Sequence, residues 1–367
     1  MQILHVVPSF GIGGMEKIIA AVINSSANFH KHTLLPLDGC TEASEWIKNI
    51  STRFINFDKP QSRRLFFSSL YDKLCQSDPG LLMTYNWGAT DAIWLGRLAG
   101  IRNIVHNEHG FNVDEGTRTI GKRDCLRLLL YRLASKIVVV SQDSQEMMRR
   151  RFFIGESKVV RIPNGIDASY YSPNDSERHR LRKSFGFLDA ECVFGFSGRL
   201  DPIKNLIFLL DIFTACRPHM NGLRLLIVGD GPEHARLIAR CREQEIEPYV
   251  IFAGQQRDVL PYLRAMDVFV LTSLREQMPL TVLEAMAVGL PVVAARVGEV
   301  PYIVGEGMEG FVRDLNEPLE TFVQVCQSLF GPATRRRMGE AARRKVLEKF
   351  SHEAMLNSYA RVIAGFE

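Results

Sequence analysis

A short apolar run, Ile3–Val7, stops at Pro8, gives way to the glycine turn "SFGIGG", and passes into a helical pattern from Met15 to Val22. This strand–turn–helix phrase constrains the fold more than any other feature of the chain. Leu81–Met83, Ile104–Val105 and Ile137–Val140 read as further buried strands, separated by stretches long enough for helices. Apolar strands alternating with helices predict a parallel sheet with helices on both faces. The rhythm halts at Val159–Pro173, "VVRIPNGIDASYYSP", whose two prolines and Asn-Gly pair suit a linker. It resumes with Val193–Phe196, Arg224–Val228, Val250–Phe252, Val268–Leu271 and Val292–Ala295, and the stretch from Thr334 onward is strongly helical. The expectation is an α/β chain of two doubly wound parallel sheets facing across a cleft, residues 1–168 and 169–350. A length of 367 residues is ample for two such domains.

Composition removes several alternatives. With 46% hydrophobic and 23% charged residues, the chain is neither largely disordered nor fibrous. The longest nearly apolar stretch, Leu280–Ala295, is interrupted by Glu284, Gly289 and Pro291, so no bilayer span is expected. Only Met1 and Gln2 stand before the first strand, so no signal peptide is expected. Seven scattered cysteines, none in a two-residue-gap pair, suit reduced thiols and a cytoplasmic placement. The net charge of +4 is uneven: residues 1–168 hold 21 Lys/Arg against 16 Asp/Glu, and residues 169–367 hold 24 against 25. Arg118–Lys136 alone carries six bases and one acid. That patch is too local for a nucleic-acid protein, but it suits an anionic surface.

Ligands of open parallel sheets bind beyond the carboxyl ends of the strands, so chemistry-bearing residues should follow strands. Gly13 and Gly14 close the first turn, and Glu16 stands where a dinucleotide fingerprint needs its third glycine. A loop that lets a phosphate approach a helix N-terminus remains, as does a plain tight turn. After Val193–Phe196, "SGRLDPIKN" places Arg199 and Lys204 where two cations can neutralise a diphosphate. After Val268–Leu271 comes Glu276, then amides of Gln277–Leu280 at a helix N-terminus, with Pro279 in the first turn and Glu284 a turn and a half in. A carboxylate beside such an anion site is explicable if it grips the hydroxyls of a neutral sugar. His106 and His109 have a metal-like spacing without a third ligand, so no metal site is expected. "TYNWGATDAIW" suits either the acceptor side of a cleft or core packing. Arg118–Lys136 suits an ordinary helix with a solvated face, a membrane-surface contact, or a site for an anionic lipid-linked acceptor.

Taken in order, the glycine loop, "HNEHG", "PNGID", "SGRLDPIKN", "VGDGP" and the Glu276-x7-Glu284 string resemble the family-4 glycosyltransferases of GT-B architecture. The resemblance covers most of the chain, including "RRRMGEAARRKVLEKFS". It implies that the first domain binds the acceptor, that the second binds a nucleotide-sugar, and that a final helix, about 351–367, returns to the first. It also implies residue roles. Gly13 and Gly14 would lie near the donor diphosphate, and His109 would contact the transferred sugar. Arg199 and Lys204 would hold the diphosphate, Glu276 the sugar hydroxyls, and Glu284 the nucleotide ribose, with Gln277, Met278, Pro279 and Leu280 lining the donor pocket. Three positions depart from the family pattern: Gln277 and Glu299 replace frequent glycines, and Tyr302 replaces a frequent acidic residue.

The implied reaction is a retaining transfer of a hexose-type sugar from a UDP- or GDP-sugar to a hydroxyl of a glycan or lipid-linked acceptor, in cell-surface polysaccharide, lipopolysaccharide or glycolipid synthesis. The implied place is the cytoplasm or the inner face of the membrane. No cofactor and no metal are expected; the one acidic spacing near an Asp-x-Asp motif, Asp189 with Glu191, precedes a strand instead of following one. A sugar-nucleotide epimerase, a glycan phosphorylase and a catalytically silent nucleotide-sugar-binding subunit fit the same architecture.

Overall fold

The computed structural model describes residues 1–110 and 121–367. The described chain divides into two compact units, Met1–Asn164 with Glu353–Glu367, and Gly165–His352. The strands of the first are β1 (Gln2–Val7), β2 (Lys31–Pro36), β3 (Arg53–Phe54), β4 (Leu81–Tyr85), β5 (Ile104–Glu108), β6 (Lys136–Val139) and β7 (Val159–Arg161). The second holds β8 (Cys192–Ser197), β9 (Leu223–Val228), β10 (Val250–Phe252), β11 (Val268–Leu271), β12 (Val292–Ala295) and β13 (Gly310–Arg313). All pairings are parallel, in the orders β3-β2-β1-β4-β5-β6-β7 and β10-β9-β8-β11-β12-β13. Both sheets are doubly wound, with helices linking successive strands, as in the GT-B architecture.

Burial explains why these runs become strands. β4, β5, β8, β11 and β12 are buried at every residue, as central parallel strands covered on both faces must be. Each buried Val, Leu, Ile or Phe contributes roughly 1.5–3 kcal/mol. The edge strands β3 and β10 are short and less buried.

Four of these strands, β2, β3, β7 and β13, are not anticipated by the pattern of apolar runs. β2 carries Lys31, His32 and Thr33, and its histidine and threonine are buried. β13 begins at Gly310, packed against the β12 backbone where no side chain fits. The expected linker is corrected at its start: Val159–Arg161 pairs with Ile137–Val139 as β7. β5 is also longer than expected, so His106 is a buried strand residue and not part of a loop.

In each sheet the strand order reverses direction once, between β1 and β4 and between β8 and β11. Strands flanking such a switch point send their connections to opposite faces, which opens a crevice at their carboxyl ends. Among the described residues no helix is long and apolar enough to cross a membrane.

Candidate active site

In the second unit, Lys204 leaves the carboxyl end of β8 and Glu276 that of β11, the two strands at the switch point. Asp201 accepts from the Ile203 amide at 3.2 Å and starts the turn Pro202–Lys204. The Thr272 hydroxyl donates to the Lys204 and Asn205 carbonyls, each at 3.1 Å, and the Leu274 amide donates to the Ile203 carbonyl at 2.8 Å. These bonds stitch the two loops together, and the Lys204 ammonium donates to Oε1 of Glu276 at 2.6 Å. The Ser273 hydroxyl donates to the same oxygen at 2.7 Å. Arg199 instead faces solvent, 73% of its side chain exposed, with Nε 3.7 Å from Asp201.

The neighbouring turns leave backbone where side chains would otherwise stand. Gly229 has φ +136°, and a Cβ there would run into the Gly198 carbonyl. The Gly198 amide donates to Val228 at 3.0 Å and the Leu200 amide to Asp230 at 2.9 Å, so the turns after β8 and β9 lie side by side. Gly298, after β12, has φ +49°; a Cβ there would sit 2.6 Å from the Gln277 carbonyl oxygen and closer still to that of Glu276. The Glu299 amide donates to that Gln277 carbonyl at 2.8 Å. Glu299 therefore holds the Glu276–Gln277 loop through its backbone, whatever its side chain.

Met278, Pro279 and Leu280 are buried and Gln277 is half-buried. The helix begins at Leu280, with Pro279 as its N-cap instead of its first-turn residue. Pro279 has no N–H, so the amides of this segment are those of Gln277, Met278 and Leu280. Glu284 is buried, and its Oε1 accepts from the Tyr171 hydroxyl at 2.8 Å. Sequence reasoning missed Tyr171, which lies inside the presumed linker.

In the first unit, Gly13 is the N-cap of the helix Gly14–Ser26, and the Glu16 carboxylate folds back against it. Desolvation, with Asp38 acting in the same direction and the residue's own amide opposing, pushes the Glu16 carboxyl up to about 7. His109 follows β5; its amide donates to Oδ1 of Asn86 at 2.7 Å and its ring stacks on Tyr85, centroids 6.2 Å apart. Its Nε2 is buried without a hydrogen-bond partner among the described residues. Desolvation pushes the ring down to about 4; Glu108 opposes this and His106 adds to it. Asn86, at φ +52°, also donates to the Met15 sulfur at 3.3 Å, so it ties His109 to the glycine-loop helix. In "TYNWGATDAIW", Tyr85 is buried in the core and Trp94 packs edge-on to Phe67, whereas Asn86 holds the His109 amide.

The spacing of His106 and His109 does not bring them to a common centre. His106 Nδ1 bonds the Thr84 hydroxyl at 2.8 Å, and its Nε2 lies 3.7 Å from Glu108. Among the described residues no group of three or more His, Cys, Asp and Glu side chains is placed to hold a metal ion. Glu191 is occupied by Arg224, at 2.7 Å, and by the Leu188 amide, at 2.9 Å.

The basic segment needs one correction. Of Arg118–Lys136, residues 118–120 lie outside the described residues, and Lys122–Leu133 forms a helix. Arg127 does not face solvent: it is fully buried, donates to the Tyr131 hydroxyl at 3.0 Å, stacks under Trp87, and lies 3.8 Å from Glu108. Tyr131 in turn donates to Glu108. The exposed face carries Lys122, Arg123 and Arg132 with Leu126, Leu129 and Leu133.

Two family models match the chain, "Glycosyltransferase Family 4" over residues 12–170 and "Glycosyl transferases group 1" over residues 191–331. N-acetyl-alpha-D-glucosaminyl L-malate synthase of Bacillus anthracis is 30% identical over 201 residues, 55% of this chain and 52% of that protein. UDP-Gal:alpha-D-GlcNAc-diphosphoundecaprenol alpha-1,3-galactosyltransferase of Escherichia coli is 26% identical over 260 residues, 70% of this chain and 67% of that protein. The matches thus span about half to two thirds of these relatives' length. The crystal structure of Anabaena HepE in complex with UDP-glucose superposes over 100% of both chains, with a TM-score of 0.86 at 20% identity. With a glycosyltransferase model matched in each half, the family-4 one in the first, the chain belongs to the family-4 glycosyltransferases.

Proposed function

We propose that the protein transfers a sugar from a nucleoside-diphosphate sugar to an acceptor hydroxyl, with retention of configuration, in the assembly of a cell-surface glycan or glycolipid. The observation that carries this reading is the Lys204–Glu276 pair at the switch point of the second sheet, beside turns whose glycines expose backbone. Lys204 and Arg199 supply positive charge to the diphosphate, and Glu276 accepts from donor-sugar hydroxyls. Glu284 accepts from the ribose, and His109 offers to the transferred sugar a ring nitrogen that has no partner among the described residues.

In the reaction the bond from the anomeric carbon to the phosphate oxygen breaks, and a bond from that carbon to the acceptor oxygen forms on the same face. The departing phosphate oxygen takes the acceptor proton, so no enzyme nucleophile is required. Fixed cations and oriented amides stabilise the growing charge on the diphosphate, and removing one such donor costs on the order of 10²–10³ in rate. On this reading no divalent ion is needed. A UDP-sugar and a lipid-linked acceptor are supported by the relatives, since HepE holds UDP-glucose and the Escherichia coli enzyme is named for a diphosphoundecaprenol acceptor. The exposed leucines and bases of Lys122–Leu133 suit a peripheral position on the cytoplasmic membrane face.

Calorimetry with UDP and GDP tests the division of roles. Glu284→Ala should weaken nucleoside-diphosphate binding, whereas Glu276→Ala should leave it bound and lower turnover. Equal loss of affinity in both variants contradicts the assignment.

A further inference from the structure

The residues that open the second unit are tied to the helix carrying Glu284. The Ile166 amide donates to the Phe350 carbonyl at 2.9 Å, and the His352 amide donates back to Ile166 at 3.1 Å. Asp167 then accepts from the amides of Ser169, at 3.0 Å, and Tyr170, at 3.1 Å, while the Tyr171 amide donates to the Asp167 carbonyl at 2.8 Å. This turn aims Tyr171 inward. Arg343, on the helix Pro332–Lys349, donates to the carbonyls of Tyr171, at 3.0 Å, and Ala168, at 3.2 Å, and also to that of Ala287 at the end of the Glu284 helix. The backbone of Tyr171 is therefore fixed to one end of that helix, and its side chain reaches the carboxylate one turn earlier.

Both members of the Tyr171–Glu284 bond are buried, at 7% and 1% exposure. A buried carboxylate must be held by donors, and a tyrosine on a locked backbone fixes one rotamer where solvent would allow several. Burial first, and then the Glu284 charge, push the Tyr171 hydroxyl well above its usual range, so it remains a donor at neutral pH.

We infer that Tyr171 is a positioning residue, whose hydroxyl holds the Glu284 carboxylate in the orientation that reads the ribose hydroxyls of the donor nucleotide. This rests on Glu284 as the ribose ligand, so the test separates the two ideas. Binding of UDP and GDP is measured by calorimetry, and the tighter of the two is compared with its 2′,3′-dideoxy analogue. Wild type should prefer the ribonucleotide by about tenfold or more, the scale of one hydrogen bond to a charged group. Glu284→Ala should abolish the preference. Tyr171→Phe should narrow it to about threefold or less while binding of the dideoxy analogue stays unchanged, a pattern that a general loss of packing does not give.

Tyr171→Leu provides the same comparison if the phenylalanine variant does not fold. A wild-type preference in Tyr171→Phe, with the preference lost in Glu284→Ala, overturns the inference and leaves the ribose reading intact. A preference that survives Glu284→Ala, or no binding of either nucleotide, overturns that reading and the inference with it. Tighter ribonucleotide binding in Tyr171→Phe overturns the inference by making the hydroxyl a competitor.

Discussion

The ammonium of Lys204 lies 2.6 Å from Oε1 of Glu276, although 72 positions separate them in the chain. The strand order explains the meeting. β8 and β11 are neighbours in the sheet but not in sequence, and the loops leaving them are joined by Thr272 and Leu274. The pair sits with the lysine side chain 22% and the glutamate side chain 12% exposed, enough access for a polar ligand to insert and enough burial to strengthen its contacts. In the proposed reaction the lysine turns part of its charge from Glu276 to the diphosphate.

Gly298→Ala tests the support of this pair from behind. A left-handed backbone and a clash with the carbonyls of Glu276 and Gln277 both oppose a side chain there. The expected cost is roughly 1–3 kcal/mol of stability, with a fall in donor turnover because the Glu276 loop must move. Denaturant unfolding and a turnover assay measure the two effects. Unchanged values in both would remove Gly298 from the account.

Stability should fall as the medium is acidified from pH 7 to 5. Burial holds His5 well below its ordinary value and His32 down to about 4, with His109 also near 4. The unfolded rings titrate near 6.5, so below that pH the unfolded chain binds protons that the native chain refuses, and stability is lost as pH falls. Glu16, pushed up to about 7, acts in the opposite direction but is one group against four, because burial also lowers His352. Urea midpoints at pH 7 and 5 should differ, the lower at pH 5. Equal midpoints would contradict the buried neutral imidazoles.

Anionic vesicles test the exposed face of Lys122–Leu133. Near an anionic surface each base contributes about 1 kcal/mol, so Arg123→Gln with Arg132→Gln should weaken co-sedimentation by roughly 10–30-fold and leave soluble-donor turnover unchanged. Arg127 does not belong in this variant, because it is buried against Glu108 and Tyr131. No wild-type binding at low salt would return this helix to an ordinary solvated role.

The alternation of apolar runs with glycine turns was enough to read two doubly wound sheets and the strands that carry Lys204 and Glu276. Strands with polar residues escaped it: β2 carries His32 in a buried chain in which His5 bonds His32 and Tyr85, each at 2.9 Å. Periodicity registers apolarity, and a buried imidazole satisfied by its neighbours carries none. Arg127 misled for the converse reason, since a base in a leucine-rich helix looks solvated until the strand bearing Glu108 is packed beneath it. Tyr171 and Asn86 act through contacts 113 and 23 positions away, which the local pattern cannot display. Their signals were present in "PNGIDASYY" and "TYNWG", a turn sequence leading into aromatics and an asparagine directly after a buried strand.

The most direct measurement is nucleoside-diphosphate release from a panel of UDP- and GDP-sugars, with and without excess EDTA, by wild type, Lys204→Ala and Glu276→Ala. At least one donor should be turned over by wild type, at a rate unaffected by EDTA, and each variant should lower that rate by roughly 10²-fold or more. Release from no donor, full activity in both variants, or activity abolished by EDTA and restored by magnesium or manganese would contradict the account.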